Sequence, residues 1–125
     1  MLQKSILISF CLMLSFTTLL FESLIAEESM ARYTTCAVYH RMMVGAMRRK
    51  ANLGALIEEH MEKMNRFVEL AKRSSEEEYG KELGEEMFNE EWATIQLEMT
   101  DQINRNYNNI SRLRLRYKDS CKIQP

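Results

Sequence analysis

The sequence predicts an all-α protein: a small up-and-down four-helix bundle that is closed by a disulfide. Proline occurs only at Pro125 and the four glycines are isolated from one another, so nothing forces the chain out of helix before its end. Apolar residues also recur at spacings of three and four through most of the chain, which is typical of amphipathic helices. Cys36 and Cys121 lie near the two ends of this helical region, where a bridge would close the bundle.

The first segment has the layout of a secretory signal peptide. A lysine precedes an uncharged, largely apolar run at 6–21, and this run is shorter than the roughly 20 residues that cross a bilayer as a helix. Small residues at its end favour cleavage after Ala26. We therefore expect a cleaved signal peptide at 1–26, a single helical domain at 27–125, and a secreted or periplasmic protein. The alternative is a signal segment that is kept as a membrane anchor.

The cysteines predict a disulfide within the exported domain. Cys11 lies inside the signal segment, so its removal leaves Cys36 and Cys121. Export places these two thiols in an oxidising compartment, where an even number of cysteines in a small domain indicates a bridge. Closing a loop of this length stabilises a fold by about 4 kcal/mol on the chain-entropy model. The alternative is a bridge between two chains.

The first two helices are predicted at 31–51 and 54–73. Three consecutive cations at 48–50 suit the C-terminus of the first helix, because positive charge is favoured at that end of the helix dipole. Asn52 follows them and marks a turn. The apolar stripe then resumes in the second helix with the same spacing.

The third helix is predicted at 75–103. Ser74 and Ser75 are followed by three glutamates at 76–78, which is a capping-box pattern and the clearest helix boundary in the chain. Apolar residues continue at helical spacing to Ile103.

The fourth helix is predicted at 109–121, after a stretch at 104–109 that is rich in asparagine, a poor helix former. End charges oppose this break, since Asp101 and Arg112 would lie at the unfavourable ends of their helices.

Without that break, the chain would form a long antiparallel two-helix hairpin with helices at 31–73 and 75–119. Two helices bury little apolar surface, so such a hairpin would have to dimerise. The four-helix arrangement brings Cys36 and Cys121 to the same end of the bundle, and we prefer it for that reason.

Charge is nearly balanced over the whole chain, with a formal net charge of −1, which argues against a general binder of polyanions. The distribution is uneven, because 32–50 and 105–122 are basic whereas 58–101 is acidic. Such blocks predict a polarised surface, although solvated helix faces are their usual explanation.

The histidines and methionines raise the question of a metal site. His40 and His60 each have methionines nearby, and imidazole with thioether ligands suits Cu(I). The candidate ligands are His40, Met43, His60 and Met64. Methionine at helical spacing is more often a core residue, so we predict neither a metal site nor a cofactor.

No nucleophile and base, phosphate loop or zinc pattern occurs, so the sequence does not predict an enzyme. It predicts a non-enzymatic binding protein of the periplasm or extracellular space, whose partner is a protein or an envelope component. We expect no specific nucleic acid, membrane contact only through an uncleaved signal segment, and a monomer or homodimer. The alternative function is a carrier of copper or a small ligand that uses histidine and methionine.

Overall fold

The computed structural model describes residues 29–122. These residues form four α-helices and one turn of 3-10 helix, and they contain no β-strand, so the all-α prediction is confirmed. In chain order the elements are α1 at 29–47, α2 at Gly54–Tyr79, α3 at Lys81–Gln102, the 3-10 turn at Tyr107–Asn109, and α4 at Ser111–Tyr117.

The predicted signal peptide at 1–26 and its cleavage site lie outside the described residues. Within 29–122, no helix is both long enough and apolar enough to cross a membrane.

Consecutive helices run in opposite directions. The ring of Tyr33 near the start of α1 packs against Phe67 in the second half of α2, whereas His40, later in α1, meets His60, earlier in α2. Lys72 lies over the Phe88 ring, so α2 and α3 are also antiparallel. The up-and-down arrangement follows from these contacts.

Helix α1 is the central element of the bundle. Eight of the nine residues at 36–44 are buried, and only Arg41 among them is exposed. A helix that is buried on nearly every side must be packed by neighbours all round. Phe67 of α2, Met99 of α3 and Leu113 of α4 belong to the same buried cluster as most of these α1 residues. Met42 and Met43 lie in this core, in agreement with the core interpretation of the methionines.

The predicted boundary between the second and third helices is wrong. α2 continues through Ser74 and Ser75 to Tyr79, and the chain turns at Gly80, whose φ of 84° favours glycine. The Ser75 hydroxyl donates to the Gly84 carbonyl at 2.7 Å instead of capping a helix. A capping box is therefore present in sequence but not in structure.

The predicted break before α4 is confirmed, and the charges that opposed it have other partners. Asn104 and Arg105 adopt positive φ values of 52° and 56°, which end the helical path. Arg105 forms an ion pair with Asp101 at 3.5 Å. Arg112 donates from its guanidinium to the Gln102 carbonyl at 3.4 Å, so its charge stabilises the C-terminus of α3.

The predicted disulfide between Cys36 and Cys121 is present, with the two Cα atoms 5.1 Å apart. It ties α1 to the segment that follows α4 and closes the bundle. A disulfide of this kind is consistent with an oxidising, extracytoplasmic location. The structure thus favours the four-helix bundle over the long hairpin.

Candidate functional site

The two histidines, distant in sequence, meet in the structure. His40 on α1 and His60 on α2 have their Nδ1 atoms 2.7 Å apart, and the Nε2 atom of His40 lies 3.2 Å from the Cys121 carbonyl oxygen. A carbonyl only accepts, so Nε2 of His40 carries the hydrogen and donates it. Nδ1 of a neutral His40 is then the acceptor, and Nδ1 of His60 is the donor.

Burial keeps both imidazoles neutral. It lowers the pKa of His40 to about 4, and the hydrogen bond to the Cys121 carbonyl opposes this shift only in part. Burial also lowers the pKa of His60, and the nearby Lys63 ammonium lowers it further. The His40 ring stacks on Phe67 with 12° between the ring planes, so its position is held by packing as well as by hydrogen bonds.

The structure separates the two candidate methionines. Met43 is buried in the core, whereas Met64 is half-buried on α2, one helical turn after His60. Cys36 is bonded to Cys121 and carries no free thiol. Among residues 29–122, no group of three or more histidine, cysteine, aspartate or glutamate side chains gathers in a way that could hold a metal ion.

A second candidate site, which we call the basic pocket, lies at the end of the bundle where α1 ends and α2 begins. Its volume is about 500 Å³, within the usual range of small-ligand sites. The cations around it are Arg49, Lys50 and Arg114. The other lining residues are apolar or neutral: Met43, Ala46, Met47, Leu53, Leu56, Tyr107, Asn108, Ile110 and Ser111.

Tight local packing forms one wall of the basic pocket. The Tyr107 ring lies so close to Gly45 that an added Cβ would stand 2.8 Å from the phenol oxygen. The Arg49 guanidinium lies over the same ring, 4.6 Å from its centroid. Asn106 begins the 3-10 turn by accepting from the backbone N–H of Asn108 at 3.0 Å. The wall therefore exists before any ligand binds.

The charge of the basic pocket is uncompensated. No acidic side chain lines it, and in the described part of the chain Arg49, Lys50 and Arg114 take part in no ion pair. Some cations elsewhere in the described chain do form ion pairs, whereas others, such as Arg32 and Arg116, do not. Arg66, for example, pairs with Glu69 at 3.7 Å instead of with Glu62, the partner that its spacing also allows. Three positive charges beside an apolar floor favour a ligand that is both anionic and apolar.

Acidic residues concentrate at the opposite end of the bundle, around the turn between α2 and α3. Residues 76–86 contain six glutamates and one lysine. Because α2 has 26 residues, this acidic tip lies about 39 Å from the start of α2, at a rise of 1.5 Å per residue. The acidic tip is therefore well separated from the basic pocket along the bundle, and its exposed glutamates are solvated.

Sequence reasoning did not find the basic pocket. Its walls come from 43–56 and from 107–114, and only the fold brings these segments together. The basic character of both segments was visible, but the apolar floor between them was not.

No family model matches the chain, and no curated protein or solved structure matches it either. The chemistry of these side chains therefore carries the functional interpretation.

Proposed function

We propose that this protein is a small, non-enzymatic binding protein of the periplasm or extracellular space, and that it holds an anionic amphiphile in the basic pocket. The signal segment at 1–26 would deliver it there. The observation that carries this proposal is the gathering of three cations, with no acidic side chain among the lining residues, around a partly apolar cavity of about 500 Å³. A carboxylate or phosphate head group would meet the cations, and an attached hydrocarbon chain would cover the apolar floor.

The residues that line the pocket include groups suited to the anionic head group and groups suited to the hydrocarbon chain. Arg114 supplies a fork of N–H donors that suits a carboxylate or phosphate. Asn108 and Ser111 line the pocket beside it and add neutral hydrogen-bonding groups. Leu56 is 45% exposed at the rim, and covering it would add to the apolar contact.

The proposal is tested by titrating the purified protein with dodecyl phosphate and with dodecanoate below their micellar concentrations. Dodecyltrimethylammonium serves as a ligand with the same chain and the opposite charge, and acetate as an anion without a chain. We expect the two long anions to bind and both control ligands to bind at least about tenfold more weakly, since 1.4 kcal/mol is a factor of ten.

Variants connect this binding to the pocket. Lys50→Gln combined with Arg114→Gln should weaken binding of the long anions roughly tenfold, because each exposed ion pair contributes up to about 1 kcal/mol. Arg116→Gln is the matched control, since Arg116 is exposed on the same helix but does not line the pocket. Equal binding by the double variant and the control would overturn the proposal.

A further arm separates a free amphiphile from a lipid in a bilayer. If vesicles of anionic phospholipid bind the protein through the same three cations while monomeric dodecyl phosphate does not, the shared chemistry holds but the ligand is a membrane surface. If the protein binds neither dodecyl phosphate nor the vesicles, the proposal of an anionic amphiphile is wrong.

A further inference from the structure

We propose a second site that is independent of the basic pocket: His40 and His60 bind a soft monovalent metal ion, Cu(I), with the thioether of Met64 as a third ligand. The two imidazoles come from different helices and present Nδ1 to Nδ1 at 2.7 Å. An ion placed between them would be held by both rings at once. Imidazole and thioether are ligand types that suit copper.

The His40 ring is already oriented as a metal ligand. Histidine ligands commonly donate their second ring N–H to a carbonyl or carboxylate, which fixes the tautomer and the ring position. Nε2 of His40 makes this bond to the Cys121 carbonyl, so the lone pair of Nδ1 points at His60. The Cys36–Cys121 disulfide holds that carbonyl in place. The stack on Phe67 fixes the plane of the ring.

Space for the ion requires a small movement of His60. Two bonds of about 2 Å each, the usual length for a metal–imidazole bond, put the nitrogens up to about 4 Å apart, so the rings must separate by roughly 1 Å. His40 is buried, but His60 is only half-buried, and its one hydrogen bond in the described structure is with His40. His60 is therefore the ring that moves.

The set of available ligands favours Cu(I) over Zn²⁺. A structural zinc site needs four ligands, usually cysteine, histidine or carboxylate, and residues 29–122 bring no third such side chain to the pair. Met64 follows His60 by one helical turn and lies on the same face of α2. Its sulfur is a soft ligand that zinc rarely uses and Cu(I) accepts.

Metal binding at this site changes the proton positions but not their number. The hydrogen on Nδ1 of His60 leaves as the metal arrives, and Nε2 of the same ring takes one from water. Both imidazoles are neutral before and after, so the site gains the single positive charge of the ion.

The test is a competition titration of Cu(I) between the protein and a chromophoric Cu(I) chelator. The full chain is expressed, purified and treated with iodoacetamide, which blocks any free thiol and leaves the disulfide intact. Ascorbate under nitrogen keeps the copper reduced. We expect one equivalent to bind, and the side-chain Nδ1 resonances of both histidines to move when Ag(I) is used as a redox-stable substitute.

His60→Asn is the informative variant, because the asparagine amide can still donate to Nδ1 of His40 and preserve the fold. We expect it to bind Cu(I) at least about tenfold more weakly, as is usual when a metal site loses an oriented group. Met64→Leu should also weaken binding, whereas Met61→Leu, which replaces a neighbouring thioether, should not.

Three outcomes would overturn the proposal. The first is equal Cu(I) affinity in the native protein and in His60→Asn, which would leave the histidine pair as a structural hydrogen bond. The second is tighter binding of Zn²⁺ than of Cu(I). The third is an equal loss of affinity in Met64→Leu and Met61→Leu. None of these outcomes bears on the basic pocket, whose residues are different.

Discussion

At the level of single residues, His40 shows how burial controls protonation in this protein. Its pKa is lowered to about 4 in the folded state, against about 6.5 in an unfolded chain. The unfolded state therefore binds more protons between these values, and stability falls as pH drops from about 6.5 towards 4. His60, whose pKa is also lowered, acts in the same direction.

We predict that the free energy of unfolding, measured with a denaturant, decreases by up to about 3 kcal/mol between pH 7 and pH 4 because of His40. Exposed carboxylates such as Glu59 and Asp119, whose pKa values are lowered by Lys63 and Lys122, lose their stabilising effect mainly at lower pH, so they add little to the fall above pH 4. The control is the variant His40→Gln, whose amide can still donate to the Cys121 carbonyl. A pH dependence as steep in this variant as in the native protein would contradict the assignment to His40.

For single residues, the sequence predicts burial better than it predicts which side chains meet. The burial of the methionines in α1 could be predicted, because flexible apolar side chains at helical spacing usually fill a core. The pairing of His40 with His60 could not, since 20 residues separate them and the contact depends on how α1 and α2 are rotated about their axes. Periodicity predicts which face is apolar, but not which polar atoms meet across an interface.

At the level of elements, the α2–α3 pair depends on one close backbone approach. A Cβ added at Gly84 would lie 2.9 Å from Cα of Glu76 and from the carbonyl oxygen of Ser75. Both neighbouring atoms belong to the backbone, so the helices would have to move apart.

We predict that Gly84→Ala destabilises the fold by about 1–3 kcal/mol, as overpacking of a close contact typically does. Gly54→Ala is the matched control, because an added Cβ there meets no atom within 4 Å. Alanine at that position should be neutral or stabilising by up to about 1 kcal/mol. Urea unfolding of both variants gives the comparison, and equal effects would refute the close approach.

The same element explains why one helix boundary was predicted wrongly. The serines at 74 and 75 resemble an N-cap in sequence, but the Ser75 hydroxyl bonds across to Gly84 and the helix continues. Gly80 adopts the positive φ at the turn. Because neither neighbouring residue is typical of a turn, the sequence did not predict a turn at this glycine. Local sequence signals therefore predicted that the chain breaks between α2 and α3. The packing of the two helices against each other decides at which residue the break falls.

At the level of the whole molecule, the disulfide joins a central helix to the end of the chain. Its two cysteines are 85 residues apart, so nearly all of the described fold lies inside the closed loop. On the chain-entropy model such a loop stabilises the folded state by about 4 kcal/mol. This is a large share of the roughly 5–15 kcal/mol that a domain usually has.

We predict that replacing both cysteines with alanine lowers the free energy of unfolding by about 4 kcal/mol and reduces the protection of α4 against hydrogen exchange. Helix α4 has only seven residues, too few to be stable alone, and depends on being held against α1. Unchanged protection of α4 in this variant would show that packing of Leu113 is sufficient.

Export can be tested on the intact protein by mass spectrometry with and without reductant. We predict a chain that begins at Glu27 and is lighter by two hydrogen atoms before reduction, without a change between monomer and dimer mass. A retained signal segment, a lipid, or a dimer that separates on reduction would each contradict this expectation.

The bridge between Cys36 and Cys121 also makes most of the folded chain a covalent ring. A protease that cuts once in the exposed turn between α1 and α2 opens this ring but releases no fragment, because both pieces stay joined through sulfur. The nicked molecule keeps its helices in contact at high effective concentration. If the protein is exported as we propose, to a compartment where proteases are common, a single cut in this turn would leave the folded molecule joined in one piece.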